Sequence, residues 1–501
     1  MGNARRTKLL KGGSLAATSL LLSQSATAQA DKGRTATPER PNVVFILADD
    51  MGYGDLSCYG SEHVQTPNID RLAATGTRFN QCYAGSGISS PSRCALMTGL
   101  HSGHGRIRDN MCTAAGITGL KITPRGDTTI VRRTNLQPCD TTIATVLSAG
   151  GYYTGLVNKW HLDGYDPTAA PHHRGFNEFS GWLISTVYSN DPYYYPYWRF
   201  HDDHLVNIPE NADGRHGLHN NDLSTRDAIE FIRRNKERPF FLFLAYDAPH
   251  EPYNIDQTAW YDGQEQWTPD TRRYASLITL MDQGVGRVVA TLDSLGLREN
   301  TLVIFASDNG AAVQAPLKTL RCNAGFRGRK GQLYEGGIRV PLIVNQPGRV
   351  PVQSLENTVY FPDLMPTLAD LTGCTAHLPQ RTDGISLLPL WLGRKDKQAD
   401  TDNRLLYWEF TGKQRAARRG PWKCVTIRPN APLELYNLQE DPEERNNLAS
   451  LHPEIVKQFD REMRLQHEAT PCWPLPEELE STSRKTDEAR QTTASRQKNT
   501  H

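Results

Sequence analysis

The sequence predicts an α/β fold: a sheet of buried parallel strands with helices between them, followed by a smaller α+β domain. Four continuous apolar runs each end in a polar cluster, and these runs span residues 42–48, 152–157, 239–245 and 301–307. Apolar runs of this length are typical of strands buried on both faces of a parallel sheet. Ligands of such sheets bind outside the carboxyl ends of the strands, so we expect the polar clusters to converge at one edge.

The helices between these strands are predicted from caps and from helical spacing. Residues 141–149 end at a Gly-Gly pair, which is typical of a helix C-terminus, and Ser224 can cap the helix that follows it. The longest helix is predicted over about 274–295, where apolar residues recur at helical spacing. Gly284 and Gly286 lie inside it and count against this prediction.

After about residue 395 the pattern changes to shorter segments. Residues 405–410 and 422–427 predict strands, and residues 453–465 predict a helix. The last residues contain few apolar groups, cannot bury a core and are predicted to be disordered. We therefore expect a main domain that carries the polar clusters, an α+β subdomain and a disordered tail, over residues 38–395, 396–480 and 481–501.

Residues 1–30 are predicted to be a signal peptide that does not belong to the fold. Basic residues at positions 5, 6, 8 and 11 precede an apolar stretch over 15–22, and Ala28-Gln29-Ala30 supplies small residues for cleavage. The Arg5-Arg6 pair indicates twin-arginine export, and general secretion is equally plausible. We expect an exported protein, periplasmic or secreted, and no later run is long and apolar enough to span a bilayer.

Charge and cysteine content exclude several classes of protein. Loss of the leader removes four basic residues and no acidic one, which changes the formal net charge from +1 to −3. A chain so close to neutral is not built as a nucleic-acid or general polyanion binder. The nine cysteines lack CxxC spacing, so they predict neither a zinc site nor a dense disulfide framework.

The polar clusters carry the residue types of a metal-dependent site. Asp49-Asp50 and Asp308-Asn309 each follow a predicted strand and offer the hard oxygen ligands that calcium or magnesium prefers. An anion can bind beside three carboxylates only if cations surround it. The sequence Ser89-Ser90-Pro91-Ser92-Arg93 predicts a helix start, with Ser90 as N-cap and Pro91 at the first position, whose free N–H groups would face such an anion.

These residues resemble the core motifs of the type I sulfatases. Ser89 to Arg93, followed by Thr98-Gly99, is similar to the maturation signal of that family, [Cys or Ser]-x-Pro-Ser-Arg. Residues 158–162 are similar to its Gly-Lys-Trp-His-Leu-Gly segment, with Asn158 and Asp163 in place of the flanking glycines. His250 lies in a Pro-His-x-Pro motif, and 330–341 resemble Lys-x(4)-Glu-Gly-Gly-x-Arg-Val-Pro. Ten positions match in type and order: Asp49, Asp50, Ser89, Arg93, Lys159, His161, His250, Asp308, Asn309 and Lys330.

The resemblance covers about residues 41–476 and implies a fold, a cofactor set and a mechanism. The fold would be alkaline-phosphatase-like, with a large mixed sheet between helices and a short antiparallel sheet in the smaller domain. Calcium, preferred over magnesium, would be held by Asp49, Asp50, Ser89, Asp308 and Asn309. Ser89 would be oxidised to formylglycine, and its hydrated aldehyde would attack sulfur.

The remaining residues receive roles from the same resemblance. Asp308 would be the base for the attacking hydroxyl, while Lys159 and Lys330 would neutralise the sulfuryl oxygens together with the metal. His250, with Lys330, would serve the departing alcohol. His161 would take the proton of the second hydroxyl, which expels sulfate. Arg93 adds a further positive charge to the site.

Partner and substrate follow from two details of the motifs. The serine form of the maturation signal resembles bacterial sulfatases that an anaerobic radical maturating enzyme converts in the cytoplasm before export. Residues 100–110 look like a segment of bacterial sulfatases that remove sulfate from carbohydrates, often of galactose or N-acetylgalactosamine type. There His104, Arg108 and Asn110 could line the sugar pocket, or they could only shape a loop.

Two other functions remain open at this point. A phosphate or phosphonate monoester hydrolase on the same fold would use the same metal, nucleophile and cations. A protein that binds sulfated glycans without catalysis would result if Ser89 were never converted. A sulfated saccharide as substrate of a sulfatase is the function that the motifs favour.

Overall fold

The computed structural model describes residues 40–112, 117–122, 128–183, 193–394, 401–410, 414–429 and 431–475. The predicted signal peptide and the predicted tail lie outside these residues, and so does the domain boundary expected at 395/396. Within the described residues, no helix has both the length and the apolar composition needed to cross a bilayer.

Sixteen strands are assigned in the described residues, and the apolar runs named above are among them. In chain order they are β1 (Asn42–Ala48), β2 (Thr77–Tyr83), β3 (Ile117–Ile122), β4 (Thr128–Arg133), β5 (Tyr153–Lys159), β6 (Glu178–Trp182), β7 (Trp198–His201), β8 (His204–Asn207), β9 (Phe240–Ala245), β10 (Thr301–Ser307), β11 (Arg339–Asn345), β12 (Gln353–Tyr360), β13 (Leu406–Phe410), β14 (Gln414–Arg419), β15 (Trp422–Thr426) and β16 (Glu434–Asn437). The four runs predicted as buried strands correspond to β1, β5, β9 and β10.

Ten strands form the main sheet, in the order β12-β2-β11-β10-β1-β9-β5-β6-β7-β8. All neighbouring pairs from β10 to β6 are parallel. Antiparallel pairing begins at β11 on one side and at β7 on the other. The sheet is therefore mixed, with a parallel centre, as predicted.

Helices pack on both faces of this sheet. The helices of the described residues are α1 (Pro67–Ala74), α2 (Ser89–Thr98), α3 (Ile143–Ala149), α4 (Asn220–Asn235), α5 (Pro269–Ser294), α6 (Glu335–Ile338), α7 (Leu364–Thr372), α8 (Leu388–Trp391) and α9 (Pro453–Leu465). Alternate residues of β1 point to opposite faces: Val43 and Phe45 pack with α2, α3 and α7, whereas Val44 and Ile46 pack with α1, α4 and α5.

The structure corrects one local helix prediction and confirms another. Helix α4 begins at Asn220 and not after Ser224, because the ring of His219 accepts a hydrogen bond from the Asn221 N–H (3.1 Å) and caps the helix. Gly284 does not interrupt α5. A Cβ atom there would lie 2.5 Å from the Thr225 and Tyr246 hydroxyls, so the missing side chain lets neighbouring elements approach closely.

The second sheet is antiparallel, in the order β13-β14-β15-β16, and α9 packs against it. A buried ion cluster joins this sheet to the segment that precedes β11. The Lys423 ammonium of β15 lies 2.9 Å from Glu335 and 2.9 Å from Glu444, and all three side chains are fully buried. Burial raises the pKa of Glu444 to about 7, with the Glu335 charge adding to the effect and Lys423 opposing it.

Lys423→Met is expected to lower the free energy of unfolding by about 3–5 kcal/mol, because it leaves the buried Glu444 without its cation and Glu335 with Arg339 alone (3.4 Å). Urea denaturation followed by circular dichroism measures the change. The matched control is Lys457→Met on the exposed face of α9, which should stay within about 0.5 kcal/mol of the parent protein. Equal stability of the two variants would show that the cluster does not stabilise the fold.

Candidate active site

The predicted site residues converge at the carboxyl edge of the parallel strands. Asp49 and Asp50 follow β1, Lys159 ends β5, and Asp308 and Asn309 follow β10. The backbone N–H of Asp50 donates to Asp308 Oδ1 (3.1 Å), and Asn309 Nδ2 donates to Asp50 Oδ1 (2.8 Å). These contacts join the two acidic pairs, which lie far apart in the chain, in one buried cluster.

Ser89 faces this cluster from the first turn of α2. Its Oγ lies 3.1 Å from Asp49 Oδ1 and 3.3 Å from Asn309 Oδ1. The helix begins at Ser89, with Ile88 as the N-cap, so the predicted cap at Ser90 is wrong. Ser90 is not a cap because its hydroxyl donates to the carbonyl of His161 (2.5 Å), a tertiary contact that the sequence does not show.

The buried oxygens fit a hard divalent cation. Asp49, Asp50, Asp308 and Asn309 are at most 1% exposed, and each offers a side-chain oxygen. Oxygen atoms of Asp49 and Asp50 also lie within 4.8 Å of a ring nitrogen of His250. An oxygen donor set of this kind suits calcium or magnesium and contains none of the thiolates that favour zinc.

Three cations surround the carboxylates. Arg93 Nε donates to Asp308 Oδ2 (2.9 Å) and its NH1 donates to the carbonyl of Lys159 (3.0 Å), which locks α2 against β5. The Lys159 ammonium contacts Asp49 Oδ2, and the Lys330 ammonium lies 2.6 Å from Asp50 Oδ2. The charges of the cluster are therefore nearly balanced before any ligand binds.

The pKa values of the buried Asp49 and Asp308 are shifted in opposite directions. Burial by itself would raise the pKa of Asp49, but the charges of Lys159 and Arg93 oppose burial, and the pKa lies well below its ordinary value. Burial and the charge of Asp49 raise the pKa of Asp308 to about 6, against the opposing charge of Arg93. In the metal-free site Asp308 thus exchanges a proton near neutral pH more readily than Asp49 does.

Both histidines of the site are kept neutral by their surroundings. Burial and the adjacent Lys330 lower the pKa of His250 to about 4, and the Lys330 ammonium lies 3.3 Å from His250 Nε2. Burial, Lys159 and Arg133 lower the pKa of His161 well below its ordinary value. The lowered pKa keeps the His161 imidazole neutral but also makes it a weaker base, and its Nε2 already faces Arg133. His250 would protonate an alcohol only through a proton received from Lys330 or drawn in by an anionic ligand.

Several site residues adopt a left-handed backbone that side chains other than glycine rarely adopt. The φ angles are 63° at Asp50, 79° at Asn158 and 66° at His161. Asn158 stands where the sulfatase motif has glycine, and asparagine tolerates this region better than most residues. Its Nδ2 also donates to the Asp247 carboxylate (2.9 Å), so the departure from the motif preserves the local geometry.

The three predicted sugar-pocket residues are held by internal partners. His104 Nδ1 bonds to the Asp383 carboxylate (2.9 Å), and Arg108 NH1 lies 2.7 Å from Glu409 Oε1. Asn110 Oδ1 accepts from the Ser90 N–H at the start of α2 (3.1 Å). Asn110 thus holds the first turn of α2, which carries Ser89. His104 and Arg108 instead line a cleft beside this turn.

Sequence reasoning missed two residues that contact the site. Asp247 lies two residues after the end of β9, near the same sheet edge as Asp49 after β1, and accepts hydrogen bonds from Asn158 and from the hydroxyl of Tyr193 (3.2 Å). Its position after a buried strand is a signal that could have identified it. Arg133 NH1 lies 3.0 Å from His161 Nε2, and nothing in the sequence around it indicates this contact.

Asp55 supports the loop that begins with Asp49 and Asp50. Its Oδ2 accepts from the Gly52 N–H (2.8 Å) and from the Tyr274 hydroxyl (2.6 Å). Burial raises its pKa to about 7, although both hydrogen bonds oppose the shift. The folded state therefore keeps a proton that the unfolded state has lost, so the stabilising contribution of this proton disappears as pH rises from about 4 to about 7.

Asp55→Asn is expected to remove this pH dependence. Relative to the parent protein, the variant should gain about 1.4 kcal/mol of unfolding free energy for each unit of pH across that window. Urea denaturation at several pH values measures the difference. The exposed Asp262→Asn should show no such trend, and a parallel pH dependence of Asp55→Asn and parent would contradict the prediction.

Comparison with known proteins identifies related families, sequences and solved structures. The family model described as sulfatase matches residues 41–374, and a model described as N-sulphoglucosamine sulphohydrolase, C-terminal, matches residues 326–469. Human arylsulfatase A is 32% identical over 472 residues, covering 84% of this chain and 87% of its own. The N-acetylgalactosamine-6-O-sulfatase of Bacteroides thetaiotaomicron is 29% identical over 509 residues, covering 86% and 93%. The solved structure of Ps i-CgsB in complex with k-i-k-neocarrahexaose has a TM-score of 0.71 at 27% identity, covering 89% of this chain and 97% of that one.

Proposed function

The chain belongs to the sulfatase family and is a sulfuric ester hydrolase, and on this basis we propose that it removes sulfate from a sulfated saccharide of galactose or N-acetylgalactosamine type. The observation that supports the reaction is the position of Ser89 Oγ, within 3.1 Å of Asp49 and 3.3 Å of Asn309 in a buried cluster of carboxylates and cations. The saccharide class is supported by relatives whose names state sulfated sugars as substrates.

Calcium is the proposed metal, held by Asp49, Asp50, Asp308, Asn309 and the oxygen of residue 89. When bound, it would polarise the sulfate ester and align it with the nucleophile. Conversion of Ser89 to formylglycine is proposed from the maturation signal. An anaerobic maturating enzyme is the proposed partner for this step, and export to the periplasm or medium is proposed from the leader.

Side chains of the site are proposed to neutralise the sulfate charge and to transfer the protons of the reaction. Lys159 and Lys330, each paired with a carboxylate, can turn toward the oxygens of a sulfate monoester and neutralise them. Asp308, with its pKa raised to about 6, is proposed as the proton acceptor for the attacking hydroxyl. His250 and Lys330, 3.3 Å apart, form the proton route to the departing alcohol, and the neutral His161 accepts the last proton.

Sulfate release from defined sulfated mono- and disaccharides, measured by ion chromatography, tests the proposal. The preparation should be co-produced with a maturating enzyme, and the peptide containing residue 89 should be lighter than its serine form by two hydrogen atoms. Comparison of aryl sulfate with aryl phosphate separates the sulfatase from a phosphatase on the same fold. Full activity with an unmodified Ser89 would refute the formylglycine step, and binding without release from converted protein would favour a glycan-binding protein.

A further inference from the structure

A cleft of about 450 Å³ lies beside the active site, and four arginines line it: Arg106, Arg108, Arg133 and Arg381. Three of them have a carboxylate partner. Arg106 pairs with Asp140 (2.5 Å), Arg108 pairs with Glu409 (2.7 Å), and Arg381 pairs with Glu468. Their charges are therefore already compensated within the protein.

Arg133 is the exception in the part of the chain that the structure describes. Its side chain is buried at 6% exposure, and no carboxylate among these residues forms an ion pair with it. Its only hydrogen-bond partner there is His161 Nε2 (3.0 Å), while Nε is buried with no partner and the ring of Tyr165 lies 5.6 Å away. A buried guanidinium without an anion is costly, which indicates that a ligand supplies the missing charge.

The cleft also offers a second polar group for a saccharide. The His104 side chain is 8% exposed, and its Nδ1 is bonded to both oxygens of Asp383 at 2.9 Å. The Nε2 atom is therefore the ring nitrogen that remains for a hydroxyl in the cleft. Since Arg133 touches both this cleft and His161, a molecule in the cleft would lie next to the reacting centre.

We propose that this cleft binds a second acidic group of the saccharide, a uronate carboxylate or an additional sulfate, and that Arg133 is the residue that binds it. The proposal rests on the proposed function, because it places the acidic group next to the sulfate that is hydrolysed. A planar guanidinium pairs with either group through two parallel hydrogen bonds. The enzyme would thereby select doubly charged saccharides over singly charged ones.

Binding to calcium-loaded Ser89→Ala protein, measured by isothermal titration calorimetry, tests the proposal without turnover. The probes are N-acetylgalactosamine 6-sulfate, N-acetylgalactosamine 4,6-disulfate and a 6-sulfated disaccharide that carries a uronate. Adding Arg133→Gln should weaken binding of the disulfate or the uronate disaccharide about 10- to 100-fold, and of the monosulfate less than about 3-fold. The ligand that loses affinity identifies the acidic group.

Arg106→Gln is the matched control, since it removes an arginine of the same cleft whose charge Asp140 already compensates. It should change all three affinities less than about 3-fold. If Arg133→Gln does not fold, Arg133→Lys can be used, because lysine keeps the charge but loses the two parallel hydrogen bonds. It should weaken binding of the disulfate or of the uronate disaccharide by several-fold and leave binding of the monosulfate unchanged.

Equal losses for all three probes, or a loss confined to kcat of the converted enzyme, would show that Arg133 acts through His161 and overturn the proposal. Unchanged affinities would overturn it as well. Failure of the wild-type enzyme to release sulfate from any probe would instead contradict the proposed function, and the calorimetric result would distinguish the two failures.

Discussion

Ser89→Ala is expected to abolish sulfate release, with kcat lowered by about five orders of magnitude or more. Alanine has no oxygen that could be converted to an aldehyde or that could attack sulfur, so only binding and polarisation of the substrate remain. The fold should persist, because the Ser89 hydroxyl has one proton and donates to Asp49 or to Asn309, and the loss of this hydrogen bond costs about 1 kcal/mol. Stopped assays with ion chromatography measure the rate, and thermal denaturation verifies the fold.

The control for this variant is Ser450→Ala, an exposed serine outside the site. It should keep the parent kcat. Substantial sulfate release by Ser89→Ala would mean that another residue supplies the nucleophile, and the assignment based on the maturation signal would then be abandoned.

Removal of the metal is expected to have the second largest effect, a loss of about three orders of magnitude in kcat/KM. Among the described residues Lys159, Lys330 and Arg93 balance the charges of Asp49, Asp50 and Asp308, so the loss would come from the missing ion that polarises the sulfate and not from uncompensated carboxylates. Chelation should also lower the thermal midpoint, because the ion binds the folded state alone. Re-addition of calcium should restore both activity and midpoint, and magnesium should restore less.

Asp50→Asn tests the same site without a chelator. Asparagine accepts the φ of 63° at this position, so the loop should keep its backbone while the site loses one charged ligand. We expect weaker calcium binding by calorimetry and a matching loss of activity, whereas the exposed Asp270→Asn should change neither. Full activity after exhaustive chelation, verified by elemental analysis, would exclude a catalytic metal.

Much of the fold could be predicted because burial on both faces of a strand leaves a clear apolar pattern. The runs at β1 and β10 were predicted to the residue, and the clusters after them were expected at one edge. Helix starts were less predictable. Ser224 and Ser90 are good capping residues, yet His219 and Ile88 precede the actual helices, because tertiary contacts of α4 and α2 decide where each helix begins.

The sequence alone predicted the chemistry of this protein: a segment similar to the sulfatase maturation signal, candidate oxygen ligands and the order of its cationic residues indicate a sulfatase, because these types recur at motif spacing along one chain. Only the tertiary structure decided which charges compensate each other. It paired Lys159 with Asp49 and Lys330 with Asp50, enclosed Arg108 with Glu409, and left Arg133 beside His161 without a carboxylate among the described residues. Such pairings depend on distances across the sheet edge and the cleft, and no local pattern in a sequence encodes those distances.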